Sequence, residues 1–232
     1  MLEIADLTIR YGPFLAVDSL SMQIGAGEIV GVVGPNGAGK SSIVKAIGGL
    51  VRPQSGRIEF DGKTLLTVPT HERIKLGISI VPEGRGLFPR MTVEENLVIG
   101  GDALDDKARC ARNIERCYDL FPILKERRWQ AAGTLSGGQQ QMVAVSMGLM
   151  SDPRLLILDE PSLGLAPIVI GEIGQTLRRL GRDGLTVALF EQNAKLTCNV
   201  AQRIYLLASG VVQRHDKAAD LLSNPEILDH LM

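Results

Sequence analysis

GPNGAGKS, residues 34–41, decides how the rest of the chain is read. It follows the apolar run EIVGVV and precedes SSIVKAIGGL, so a buried strand enters it and a helix leaves it. The form is GxxxxGK[ST] in the strand-to-helix context that a phosphate-binding loop requires. Gly34, Gly37 and Gly39 let the backbone curl until successive N–H groups point inward at an anion, beside a helix N-terminus whose dipole favours negative charge. Lys40 is placed to reach terminal phosphates and the Ser41 hydroxyl to ligate Mg²⁺. Asn36, Ala38 and Ser42 complete the loop's candidate nucleotide contacts.

Working outward, LLILDE at residues 155–160 sets four apolar residues before two carboxylates. At the C-terminal end of a parallel strand these acids face the same crevice as the phosphate loop. Asp159 can then join a Mg²⁺ shell, and Glu160 can orient and deprotonate an attacking water. Alone, the pair reads equally as a solvated turn before Pro161; the phosphate loop shifts the balance toward chemistry.

The first eighty residues are rich in β-like runs: LEIADLTIR, AVDSLSMQI, EIVGVVG, GRIEF and GISIV. From Thr92 to Met150 the spacing becomes helical, with Thr92 and Glu95 forming a capping box ahead of NLVIGG. LLILD, TVALF and RIYLLASG then alternate with helices such as IVIGEIGQTLRRLG, in which Ile170, Ile173, Leu177 and Leu180 keep the helical period. That alternation predicts an α/β fold with a mostly parallel sheet covered on both faces.

Composition narrows the classes. The chain has 232 residues, 45% apolar and 22% charged, with a formal net charge of -1 and no basic stripe, so nucleic acid is not expected as a partner. Its apolar runs fall well short of the roughly 18 residues that span a bilayer, and MLEIADLTIR lacks the pattern of a secretory signal. A soluble, cytosolic chain that reaches a membrane through a partner is expected. Cys110, Cys117 and Cys198 form no CxxC pair and read as small buried hydrophobes in a reducing compartment.

LSGGQQQMVAVSMGLM, residues 135–150, opens a second helix on Ser136, Gly137, Gly138 and Gln139, a second anion-binding terminus. One nucleotide has no need of both from one chain. In the order phosphate loop, SGGQ, LLILDE, the sequence resembles the ATP-binding subunits of ABC transporters over essentially its whole length. VPEGRGLFPRMTVEENLVIGG, LDEPSLGLAP and FEQN narrow the resemblance to bacterial importers of branched-chain (hydrophobic) amino acids.

The resemblance implies one ABC ATP-binding domain over residues 1–232: a phosphate-loop NTPase core, an N-terminal antiparallel β subdomain and a helical subdomain inserted at about 84–150. It implies ATP and Mg²⁺, hydrolysis in a head-to-tail pair whose SGGQ segments cap the nucleotide of the opposite subunit, and a peripheral place on the cytoplasmic side of the cell membrane. The implied partners are two permease subunits, a second ATP-binding subunit of the same or another kind, and, indirectly, a solute-binding protein. Urea or amide import, or a partner subunit with little turnover of its own, are the alternatives. A soluble ABC ATPase of nucleic acid or ribosomes would bring further domains, and a non-hydrolysing scaffold would lack Glu160.

By the same resemblance Tyr11 takes the place of the aromatic ring that stacks on adenine, though it also suits a turn at a strand end. Leu87, Phe88 and Met91 either form a groove for a helix of the membrane subunit or complete the helical core. The tip of TVALF faces the terminal phosphate, with Gln192 where most ABC ATPases carry histidine; glutamine keeps one donor and one acceptor but does not titrate near neutral pH. Asn193 reads as a helix N-cap. Glu191 has no assigned role. Glu83 stands where most relatives have glutamine and either ligates metal or pairs with Arg85. Ala166 replaces a usual aspartate, and Met147 a usual arginine in the SGGQ helix.

Overall fold

The computed structural model describes residues 1–104 and 106–222. Its first layer is an antiparallel sheet of β1 (Leu2–Tyr11), β2 (Phe14–Ile24), β4 (Ser55–Phe60) and β5 (Lys63–Thr64), in the order β2-β1-β4-β5. In β1 the residues Leu2, Ile4, Leu7 and Ile9 are buried, opposite Leu20, Met22 and Ile24 of β2. The alternation slips once, between Ile4 and Leu7, where Asp6 takes a positive φ of 51° and the register shifts as in a bulge.

The second layer is the six-stranded sheet β10-β9-β3-β8-β7-β6, with β3 (Ile29–Val33), β6 (Ile78–Val81), β7 (Leu155–Asp159), β8 (Thr186–Glu191), β9 (Arg203–Ala208) and β10 (Val211–Lys217). All neighbours are parallel except the β9–β10 hairpin. Both faces are covered, so β3, β7 and β8 are buried at every position, as their unbroken apolar runs require. Leu155 and Ile157 join the core beneath the antiparallel sheet and α1 (Lys40–Gly48), whereas Leu156 and Leu158 face the opposite core under the helices.

Between β6 and β7 the chain leaves the sheet for α3 (Val93–Gly100), α4 (Lys107–Leu120), α5 (Pro122–Glu126) and α6 (Gly137–Met150). The Thr92–Glu95 capping box opens α3 as its sequence indicates. Helix α6 packs so closely that a Cβ at Gly148 would stand 2.7 Å from a Val81 methyl. Met147 is half-buried against the helical core, and its carbonyl oxygen would lie 2.5 Å from a Cβ on Gly100 of α3. After β7 come α7 (Pro167–Arg182), burying Ile173, Leu177 and Leu180 with Ile170 half-buried, and α8 (Ala194–Val200).

One sequence reading is corrected, and one element of the fold was not anticipated. Cys117 and Cys198 are buried, and burial pushes the Cys117 thiol up to about 12, but Cys110 is only half-buried at the edge of the helical core. The stretch 61–76, between the runs GRIEF and GISIV, carries β5, the short α2 (Thr70–Arg73) and the buried Arg73. Its guanidinium donates to the carbonyls of Ala46 (2.9 Å), Ile47, Leu65 (2.6 Å) and Val68 (3.1 Å), closing the C-terminal end of α1.

Candidate functional site

At the C-terminal ends of β3 and β7 a cavity of about 360 Å³ is walled by residues 36–42 of the phosphate loop, with Phe14, Ala16, Glu83, Glu160 and Leu163. The loop's glycines serve different needs. Gly37 and Gly39 take positive φ, 81° and 105°, and a Cβ on Gly39 would meet the Ala16 carbonyl oxygen at 2.6 Å. Gly34 does not share that conformation; its need is room, since a Cβ there would lie 2.2 Å from the Leu207 carbonyl oxygen. Between them Lys40 opens α1 and turns back, donating to the carbonyls of Gly34 (2.5 Å) and Pro35 (3.0 Å).

The Lys40 ammonium also lies 3.0 Å from Glu160 Oε1, and both side chains are nearly sealed from solvent. Glu160 is held through both its backbone and its carboxylate. Its N–H donates to the Phe190 carbonyl (2.8 Å), and its Oε2 accepts from the Gln192 N–H (3.1 Å), while Oε1 relies on Lys40. Its φ is +51°, a conformation that a residue with a Cβ keeps only where its surroundings over-determine it. The carboxylate is thus aimed by the backbone of β8 and charge-balanced by the phosphate-loop lysine.

Ser41 Oγ donates to Asp159 Oδ1 at 3.3 Å. Burial pushes the Asp159 carboxyl up to about 6, against the Ser41 hydrogen bond, and the charges of Glu160 and Glu83 push the same way. The Ser41 hydroxyl and the Glu83 carboxylate on the cavity wall, with the Asp159 carboxylate bonded to Ser41 behind it, are hard oxygen donors. Among the described residues no group of three His, Cys, Asp or Glu converges on one point. Such a sparse set fits Mg²⁺, which keeps waters and takes substrate phosphates as ligands, better than a metal that needs a full protein cage. Glu83 is exposed and does not pair with Arg85, whose guanidinium instead donates to Gln140 Oε1 at 2.6 Å.

The remaining sequence candidates lie apart from that wall. Ser136 caps α6 through a reciprocal box with Gln139, its Oγ accepting from the Gln139 N–H (3.3 Å) and Gln139 Oε1 from the Ser136 N–H (3.1 Å). Gly137 is exposed and Gly138 buried against Val169; none of these four residues lines the cavity. The Gln192 side chain is exposed and also outside the lining, its contact with the site running through its backbone. Across the β1–β2 turn Tyr11 pairs with Phe14, and Phe14, 61% exposed, is the ring that stands in the cavity wall. Asn193 caps α8 as read, accepting from the Leu196 N–H (2.9 Å).

Phe14, Leu163 and Glu191 were missed. YGPF holds two rings, and only the hairpin's turn decides which one faces the loop. Glu191 gave a signal, an acid ending an apolar strand, but its partners are distant in sequence.

Residues 17–163 match the family model described as ABC transporter. The chain is 44% identical to BraG, a high-affinity branched-chain amino acid transport ATP-binding protein of Pseudomonas aeruginosa, across 99% of this chain and 98% of that protein. It is 36% identical to LivF of Archaeoglobus fulgidus, described as a probable branched-chain amino acid transport ATP-binding protein, across 97% and 95%. Among solved structures, a dimeric ATP-binding cassette in a post-hydrolysis state with ADP and Pi is similar at a TM-score of 0.82, with 26% identity over 94% of this chain and 99% of that one.

Proposed function

The chain belongs to the ABC transporter family of ATPases, and we propose that it is the ATP-hydrolysing subunit of an importer for branched-chain amino acids. The observation that carries the chemistry is the Lys40–Glu160 contact inside the phosphate-loop cavity, which unites a phosphate-binding cation and a general base. The cargo rests on the relatives, named for branched-chain amino acid transport and matched along nearly their whole length.

ATP phosphates occupy residues 34–42, with Lys40 drawn onto them, and adenine lies on Phe14, the ring in the wall, rather than on Tyr11. Ser41 and Asp159, with Glu83 on the same side, would hold Mg²⁺, which would supply positive charge to offset that of the phosphates. Glu160, aimed by the Gln192 N–H, orients and deprotonates the attacking water. Catalysis arises mainly from this fixed donor set around a spreading charge.

Ser136, Gly137, Gly138 and Gln139 cap the nucleotide of a second ATP-binding subunit, a pairing supported by the similar cassette that is dimeric with ADP and Pi bound. Leu163 and Ile168, 52% and 73% exposed beside the Glu160 loop, supply apolar surface that such a partner covers. The helical insertion of about 84–150 presents Phe88, 44% exposed, to a permease helix. Its loop is pinned by Asn96, which accepts from the Phe88 N–H (2.8 Å) and donates to the Phe88 carbonyl (3.0 Å). Attachment on the cytoplasmic face runs through two permease subunits, served from outside by a solute-binding protein; among the described residues no helix is long and apolar enough to cross a membrane.

Two assays test this. Lys40→Ala and Ser136→Ala chains, each inactive alone, are expected to regain part of the ATP turnover when mixed, because a mixed pair holds one intact composite site. With permeases and binding protein in vesicles, leucine, isoleucine or valine should stimulate turnover; stimulation by urea or amides alone would reassign the cargo.

A further inference from the structure

Glu191, at the end of β8, is fully enclosed and touches three segments of the site. Its carbonyl oxygen accepts from the N–H of Gly34, the first loop glycine, at 3.2 Å. Its carboxylate accepts from the Ser162 N–H at 2.8 Å and from the Asn193 N–H at 3.0 Å. Ser162 lies two residues beyond Glu160, and Asn193 follows Gln192, whose own N–H holds Glu160 Oε2. Both backbone segments that aim the Glu160 carboxylate are therefore stapled by one side chain.

A carboxylate is a costly choice for that task. Among the described residues no cationic side chain pairs with it, and burial pushes its carboxyl upward, against the two N–H bonds. Two donors from different segments nevertheless converge on it, one on each oxygen; glutamine would turn its amide NH2, a donor, toward one N–H. The left-handed backbone of Glu160 adds a reason for the staple, since strain persists only where neighbouring bonds enforce it.

We infer that Glu191 is a positioning residue for ATP hydrolysis: by bridging Ser162 and Asn193 it fixes the loop that carries Glu160 and the Gln192 N–H that aims it. The inference rests on the proposed role of Glu160 as general base.

The test compares Glu191→Gln, alone and with Glu160→Gln, against wild type, reading kcat, affinity for a fluorescent ATP analogue, and melting temperature. Glu191→Gln is expected to lower kcat by about 10- to 100-fold, the scale of a misplacement near 1 Å, while ATP affinity stays within about twofold. Added to Glu160→Gln, it should change the residual rate by less than about threefold, since both act through one carboxylate. Asn193→Pro removes the second donor at a φ of -75° that proline accepts, together with the Oδ1 cap of α8 that Asn193→Ala removes alone, and should lower kcat well below that of Asn193→Ala. Wild-type kcat in Glu191→Gln overturns the inference, as does a full, independent loss in the Glu160→Gln background. Should Glu191→Gln not fold, a kcat in Asn193→Pro no lower than that of Asn193→Ala overturns it. An active wild type unaffected by Glu160→Gln would instead sink the assignment of the base.

Discussion

The ammonium of Lys40 and the carboxylate of Glu160 meet at 3.0 Å with only 5% and 7% of their side chains exposed. They come from loops 120 residues apart, each at the end of a parallel strand, and each group offsets the cost of burying the other.

Glu160→Gln releases Lys40 from that partner without changing the shape of the cavity. ATP affinity, read by fluorescent nucleotide titration, should hold or tighten, while turnover falls by about 10²- to 10⁴-fold. Lys40→Ala leaves Glu160 buried without a countercharge and should cost about 3–5 kcal/mol in urea denaturation. Adding Glu160→Gln to it should recover most of that loss.

In the SGGQ segment, position decides what a variant reports. A Cβ on Gly138 would stand 2.8 Å from both Val169 methyls, so Gly138→Ala strains the α6–α7 contact and should cost about 1–3 kcal/mol. Ser136→Ala removes only a cap, worth about 1 kcal/mol. Because Ser136 lines no part of its own chain's cavity, that variant should bind ATP like wild type and lose turnover.

The two rings of the β1–β2 turn should separate by nucleotide affinity. Phe14→Ala should weaken ATP binding by about 1–3 kcal/mol, the range for losing a base-stacking ring. Tyr11→Ala should leave it nearly unchanged in the same titration.

Acid stability should reveal the brace between the two sheets. Arg203 bonds Glu28, reaching Nε–Oε2 at 3.0 Å, and also donates to the Gln23 carbonyl at 3.1 Å. Burial alone would raise the Glu28 carboxyl, but Arg203 and the Gly25 N–H bring it below its ordinary value of 4.5. A carboxyl lowered in the folded state adds stability above its unfolded pKa and loses it as pH falls through the folded one. Wild type should therefore lose stability as pH falls below about 4.5, and Glu28→Gln should show a flatter acid limb in denaturation curves.

Much of this architecture is legible in sequence because it is written in local runs. The strand-loop-helix around Lys40, the fully apolar strands ending at Asp159 and Glu191, and the Thr92 and Ser136 caps follow from patterns within about ten residues. What escaped depends on distant partners. Arg73 looks like a surface charge until four carbonyls from two segments converge on it. Gln192 reads as a side-chain phosphate sensor, yet its backbone N–H is what reaches Glu160. Glu191 stands out as an acid on an apolar strand, but its role depends on Ser162, 29 residues earlier.

The most direct measurement is Mg²⁺-dependent ATP hydrolysis by the purified chain over a range of protein concentrations, for wild type and Glu160→Gln. A composite site completed by a second copy predicts turnover that rises faster than linearly with concentration and vanishes in the variant. Specific activity that stays constant on dilution to the lowest concentrations, or turnover that survives Glu160→Gln, would contradict it.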